Sequence, residues 1–438
     1  MKRICLNLNL HQPFRLKRYR FFDIGNDHYY FDDFQNEEVF RLLAEESYLP
    51  ALRTIRDLII QDRVPFRFSI SISGTAFEQI ELYAPELLDL LLDINSTGQI
   101  EFIAAPYSYS LSSLGDTAEF EREVGVLSKK IELLFGVSPR VLRNTELIYS
   151  DDIALTAQKM GFKAMMTEGA KHVLGWKSPN YLYSSAEAPE LKLMLRNASY
   201  SSDLVRHFSN LHWSEYPLTT EKLAGWFANL PEVESFVYID IPLETFGHIH
   251  KRPSGIFEFL KALPTTLESR GISMALPSEI LQQEEVAAPL SVPSPISWSE
   301  EEKGITSWLG NVLQQEAFRK LGEWGERLRL STDRRLFLDW LHLQSCDHFF
   351  YMTTLYQDVR PFSPYDNAYD AFNNYMNVLS DVVLRIQAQY PTSIENEELS
   401  ALVLTIQNQD KQIVALEKEL SELKAKKKTT KKSTKAAE

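Results

Sequence analysis

The strongest constraint on this chain is a series of short apolar strands that recur with amphipathic helices between them. Ile4, Leu6, Leu8 and Leu10 alternate with polar or small neighbours, the two-residue period of a strand, and Pro13 stops the ladder just after His11. Phe66 to Ile72, Ile100 to Ala105, the strand beginning at Val141, Lys163 to Met166, Leu191 to Arg196 and Ser235 to Ile241 read as further strands. Helical patterning fills the gaps over about Glu46 to Gln61, Ser73 to Asn95, Thr117 to Phe135, Asp152 to Met160 and Thr219 to Asn229. This is the spacing of parallel βα units, so the expected fold is α/β, with seven or eight units closing into a barrel over residues 1–281. Side chains that perform chemistry gather where such strands end. That face would collect His11, Tyr107, Glu146, Asp240, Glu244 and His248.

Glu146 stands out among these. It follows Arg143-Asn144-Thr145 at the point where an apolar strand runs into polar residues, a better place for covalent or acid/base work than a helix face. The plain alternative is a solvated carboxylate capping the next helix. A lone histidine such as His11 is more often structural than functional. Tyr107 and Tyr109, set among serines, fit either a sugar-stacking surface or a packed turn. The aromatic and acidic loop from Phe21 to Asp33 has the length of a lid or a binding edge.

Charge narrows the choice of partner. The net charge is −14, and seven lysines after Leu423 set against Glu438 contribute +6 of it, leaving −20 on the rest. That argues against nucleic acid. Cys5 and Cys346 are too few for a disulfide framework and lack metal-ligand spacing, so neither a metal nor another cofactor is expected. The N-terminal segment alternates like a strand instead of forming a leader, and nothing approaches the roughly 18 apolar residues of a membrane span. A cytoplasmic location with no membrane partner is expected.

Residues 282–298 are rich in Pro and Glu and read as a linker. Residues 299–390 then read as helices, roughly Glu300 to Leu330, Arg334 to Tyr356 and Ala368 to Gln389, with Trp308, Trp324 and Trp340 as core. Asp347-His348 within an aromatic run is either a satisfied buried pair or a contribution to the site. From Leu399 to Leu423 apolar residues fall on steps of three and four, with Gln409 the one polar position. This heptad seam predicts a coiled coil over 395–424 and a homo-oligomer assembled through 399–423, followed by a disordered Lys-rich tail at 425–438.

Taken together, His11-Gln12-Pro13, Arg143-Asn144-Thr145-Glu146-Leu147-Ile148-Tyr149, Met166-Thr167-Glu168-Gly169 with Leu174-Gly175-Trp176, Glu244-Thr245-Phe246-Gly247, Ser307-Trp308-Leu309-Gly310-Asn311 and Asp347-His348-Phe349-Phe350-Tyr351-Met352 resemble the α-amylase-type branch of glycoside hydrolase family 57 over roughly residues 1 to 385. The resemblance implies an incomplete (β/α)7 TIM-like barrel followed by a helical region that completes the site. It also implies retaining action on α-glucans or maltooligosaccharides. It puts Glu146 at the nucleophile position and His11 in the substrate-binding motif; Tyr107, Trp176, His248, Asp347 and His348 are expected beside them as substrate-binding residues. The family's acid/base aspartate falls at Pro242, which leaves Asp240 and Glu244 as candidates. Ala105 and Tyr109 replace a glutamate and a histidine of the relatives. These departures set a second expectation beside the first: an amylase-like glucan-binding protein with weakened or absent hydrolysis. A metal-dependent carbohydrate deacetylase is a weaker reading, because no Asp-His-His set stands at ligand spacing.

Overall fold

The computed structural model describes residues 2–61, 65–299, 301–355 and 362–389, with 405, 406 and 409. The chain divides into a unit of residues 1–382 and a unit of residues 383–438, and the strands, the cleft and the helices around them lie within the first. β1 (Lys2–Leu10) shows how the alternation is used. Its apolar set packs against helices, yet Asn7 on the opposite face is equally buried. Ser69 and Ser71 of β2 (Phe68–Ile72) donate to Asn7 Oδ1 and Asn9 Oδ1 at 2.9 Å each. The polar face of the strand is therefore turned away from solvent, into an interior where every polar group needs a partner.

That interior is a ring. β1 pairs in parallel with β2 on one edge and with β8 (Phe236–Pro242) on the other. β2 pairs with β3 (Ile100–Ile103). Ala104 then exchanges backbone hydrogen bonds of 3.0 and 2.8 Å with Val141 and Arg143 of β4 (Val141–Arg143). β4 pairs with β5 (Ala164–Glu168), β5 with β7 (Lys192–Arg196), and β7 meets β8 at Arg196 and Tyr238. Between β5 and β7 there is the short helix Lys171–Leu174 and a strand, β6 (Leu182–Ser185), which pairs antiparallel with β7. β9 (Ile272–Met274) takes the edge of β1 at Lys2 to Ile4, below the point where β2 begins to pair. Helices Asp33–Leu43, Leu49–Gln61, Gly74–Tyr83, Glu86–Ser96, Thr117–Phe135 and Ile256–Ser269 supply the outer layer.

Several expectations change. The stretch read as a linker contains β10 (Val286–Leu290), which pairs in parallel with β6 across a register shift before Pro289. A proline is tolerated there because β10 is an outer strand. Beyond it Val292 and Ile296 are buried, and Ile296 exchanges backbone hydrogen bonds of 2.9 and 3.0 Å with Tyr149. The helix expected from Ser73 to Asn95 is broken at Pro85. The one expected over 300–330 is three, Thr306–Leu309, Val312–Gly322 and Gly325–Arg329. Trp308 and Trp340 are buried, whereas Trp324 is half-buried beneath the Arg327 guanidinium. The expected heptad seam and Lys-rich tail lie outside the described residues, apart from Thr405, Ile406 and Gln409. No helix among the described residues is long and apolar enough to cross a membrane.

Candidate active site

After β4 ends at Arg143, Asn144 turns the chain: its Oδ1 accepts from Thr145 N–H and its Nδ2 donates to the Ile148 carbonyl, both at 2.9 Å. Glu146 (φ 51°, ψ 28°) and Leu147 (φ 56°) both lie in the left-handed region. Such a conformation costs a non-glycine residue on the order of 1–3 kcal/mol and concentrates at functional sites. The following helix, Asp151–Lys159, is capped by Ser150, so Glu146 is not its cap.

A cleft of about 1340 Å³ opens over the C-terminal ends of the ring strands. Asn9, Tyr109, Arg143, Glu146, Asp240, Pro242 and Trp298 line one part of it, and some residues of the segments 169–179 and 196–206, with Lys303, supply others. The Trp298 indole N–H donates to Glu146 Oε2, and Trp298 N–H reaches the Glu146 carbonyl at 3.3 Å. Burial raises the Glu146 acid, and the Trp298 hydrogen bond and the Arg143 charge offset part of that rise.

Asp240 is differently placed. It is buried, and its two oxygens accept Arg143 Nε and Nη2 at 2.9 Å each, Asn7 Nδ2 at 2.9 Å and the Tyr238 hydroxyl at 2.6 Å. Burial alone would raise this acid, but Arg143 outweighs it and holds the carboxyl below its usual range. Glu244 lies outside the lining of the cleft, accepting from the Tyr48 hydroxyl at 2.5 Å and Gln12 Nε2 at 3.4 Å. Burial pushes its acid up despite those bonds.

His11 joins these parts. Its Nδ1 meets Ser73 Oγ at 2.7 Å and its Nε2 meets Asp347 Oδ2 at 2.8 Å, while its ring stacks on Tyr109 with centroids 4.1 Å apart. Burial works against the Asp347 carboxylate, yet His11 and Ser345 bring its acid down to about 2. The Tyr109 hydroxyl accepts from Arg143 Nη1 at 2.9 Å, Asn9 Nδ2 at 3.3 Å and Glu146 N–H at 3.4 Å.

Neither His11 nor Asp347 is part of the cleft lining, and the other expected binding residues do not line it either. Tyr107 lies across Gly74 and donates to Glu78 Oε1 at 2.7 Å, which makes it a packed turn. His348 is buried among Tyr351 and Tyr375, with its Nε2 3.2 Å from the His342 carbonyl, and burial lowers its pKa to about 4. His248 pairs with Glu46 at 2.8 Å. Trp176 is 93% exposed, on a segment whose neighbours line the cleft. Trp298, Asn9 and Arg196 were not anticipated. The alternation of β1 pointed to Asn9, but Trp298 lay in the apparent linker. Among the described residues no group of three or more His, Cys, Asp or Glu side chains is arranged to hold a metal ion.

Comparison with known proteins places this geometry. Residues 5–293 match the model of glycosyl hydrolase family 57. A protein of Methanocaldococcus jannaschii described as "Putative alpha-amylase" is 35% identical over 396 residues, 86% of this chain and 83% of that one. The structure is similar to family 57 branching enzymes of Thermococcus kodakaraensis (TM-score 0.64, 13% identity, 89% of this chain and 94% of that one) and Pyrococcus horikoshii (0.64, 15%, 87% and 88%). It is also similar to the α-amylase AmyC of Thermotoga maritima (0.56, 14%, 89% and 98%). At those identities the structures speak for the fold, and the sequence matches carry the assignment: this chain belongs to glycosyl hydrolase family 57.

Proposed function

We propose that this chain binds α-1,4-glucan in the cleft and hydrolyses it with retention, Glu146 being the nucleophile. The observation that carries this reading is the Glu146 carboxylate. It lines a large cleft from a strained turn, with one oxygen held by the Trp298 indole and the other without a protein hydrogen bond among the described residues. A carboxylate so fixed can attack an anomeric carbon without first being reoriented. Retention needs a second carboxyl group about 5 to 5.5 Å away that enters protonated. Asp240 is committed to Arg143 as an anion, whereas the Glu244 acid is raised by desolvation. Glu244 is the proton donor of this proposal, which requires its carboxyl to reach the glycosidic oxygen from beside the cleft lining. The seven-strand ring, and a β5-to-β7 crossover bearing only a short helix, support the incomplete (β/α)7 barrel as its scaffold.

One observation favours a second reading, a glucan-binding protein with weakened hydrolysis. Pro242 itself lines the cleft where the family aspartate is expected, and it offers no proton. Loss of a general acid removes about 10²- to 10⁴-fold of rate. The test is turnover and binding of maltoheptaose beside an aryl α-maltoside whose leaving group needs no acid. The first reading expects retained-anomer product, lost in Glu146→Gln while binding persists, and a Glu244→Gln defect on maltoheptaose that spares the aryl substrate. Binding without turnover of maltoheptaose in the wild type would establish the second.

A further inference from the structure

We propose that Glu123, which does not line the cleft, is a positioning residue whose carboxylate anchors the Tyr109 turn and thereby sets the glucan-binding geometry of His11, Arg143 and Glu146. The proposal rests on reading the cleft as a glucan site. Glu123 lies fully buried on helix Thr117–Phe135. Its Oε2 accepts Ser108 N–H and the Ser108 hydroxyl at 2.6 Å each, and its Oε1 accepts the Ser110 hydroxyl at 2.5 Å. These donors bracket Tyr109, whose φ is 57°. A tyrosine does not hold that conformation unaided. Tyr109 in turn receives hydrogen bonds from Asn9, Arg143 and the Glu146 backbone and carries the His11 ring. One carboxylate thus fixes the turn on which four elements of the cleft converge.

The charges around Glu123 explain why it can also respond to pH. On its own helix, Glu119 is occupied by Arg122 at 2.6 Å, Arg329 at 3.5 Å and Gln344 at 2.9 Å, and Asp116 at the helix cap faces Arg329. Arg122 feels the charge of Glu123 without forming an ion pair with it. The Tyr109 turn contributes neutral serines. Burial and Glu119 push the Glu123 acid up to about 7. Above that pH the carboxylate accepts all three donors. Below it, protonated Oε1 donates to the Ser110 hydroxyl, which donates in turn to Ser112 Oγ 2.7 Å away, so a charge-assisted tie becomes a weaker neutral one.

The test combines hydrogen exchange over residues 107–112 of the ligand-free full chain with maltoheptaose affinity at pH 6 and 8. In Glu123→Gln, exchange in the turn should rise about tenfold while exchange in β1 and β2 stays at wild-type rates. Affinity should fall about tenfold at pH 8 and lose the several-fold gain the wild type shows from pH 6 to 8. Tyr109→Phe should weaken binding but leave Ser108 exchange unchanged. If Glu123→Gln does not fold, Ser110→Ala must show the same changes in smaller measure. Unchanged exchange in the turn, or a wild-type pH profile in Glu123→Gln, would overturn the proposal. A loosened turn in a protein that binds no maltoheptaose would leave the anchor standing and remove the glucan reading instead.

Discussion

Glu146 is part-buried with its acid raised and Asp240 is buried with its acid lowered, so the two carboxylates have opposite environments. Trp298→Phe removes a hydrogen bond to an anion, so the Glu146 acid should rise. If Glu146 attacks as the anion, as proposed, the acidic limb of kcat/KM on an activated aryl maltoside should move to higher pH. An unmoved limb would mean that the indole does not hold the nucleophile. Asp240→Asn leaves Arg143 buried without its anion and should cost about 3–5 kcal/mol in denaturant unfolding. The native Asp240 acid is depressed, so its stabilisation is fully present above the unfolded-state value of about 4 and lost as pH falls through the native value. The Asn variant should therefore lose less stability than the wild type between pH 5 and 2. Glu146 was legible in the sequence because it sits where a strand ends among polar residues. The standing of Asp240 was not, since alternation places Asp240 and Pro242 on one face without saying that the Asp240 carboxylate is taken up by Arg143.

At the scale of elements, β1 and β2 were readable because they keep a strict two-residue period, and the other ring strands because they are short apolar runs between helical patterns. What the period could not reveal is that the polar face points into the ring, as Asn7, Ser69 and Ser71 do, instead of into water. β6, β9 and β10 escaped notice because these short runs stand among proline, glycine and serine, the composition of loops. The segment after β10 matters most among these, because its bonds to Tyr149 and Asp151 carry Trp298 to Glu146. By contrast, the glycine of Glu244-Thr245-Phe246-Gly247 is required by geometry. Gly247 has φ 107°, and a Cβ there would stand 2.0 Å from the Glu46 carbonyl oxygen. Gly247→Ala should destabilise the protein by about 2–4 kcal/mol and displace Glu244, lowering the midpoint of thermal unfolding. An unchanged midpoint would show that this turn yields freely.

Over the whole molecule, the ring supplies an apolar base around Cys5, Val141, Met166 and Met194, a hydrogen-bonded polar layer above it, and a cleft at the strand ends. The cleft thus lies at the one end where parallel barrels generally carry their chemistry. The heptad pattern of residues 399–423 sets a separate expectation: a chain ending at residue 390 should lose self-association in light scattering while keeping the maltoheptaose affinity of the full chain. Loss of affinity on truncation would tie assembly to the site. The central claim, that Glu146 forms the covalent bond to sugar, is tested most directly by trapping. Incubation with a 5-fluoro α-maltosyl fluoride, peptic digestion and mass spectrometry should show one added glycosyl group on the peptide containing Glu146. A label on another carboxylate, or none from protein that still hydrolyses maltoheptaose, would contradict it.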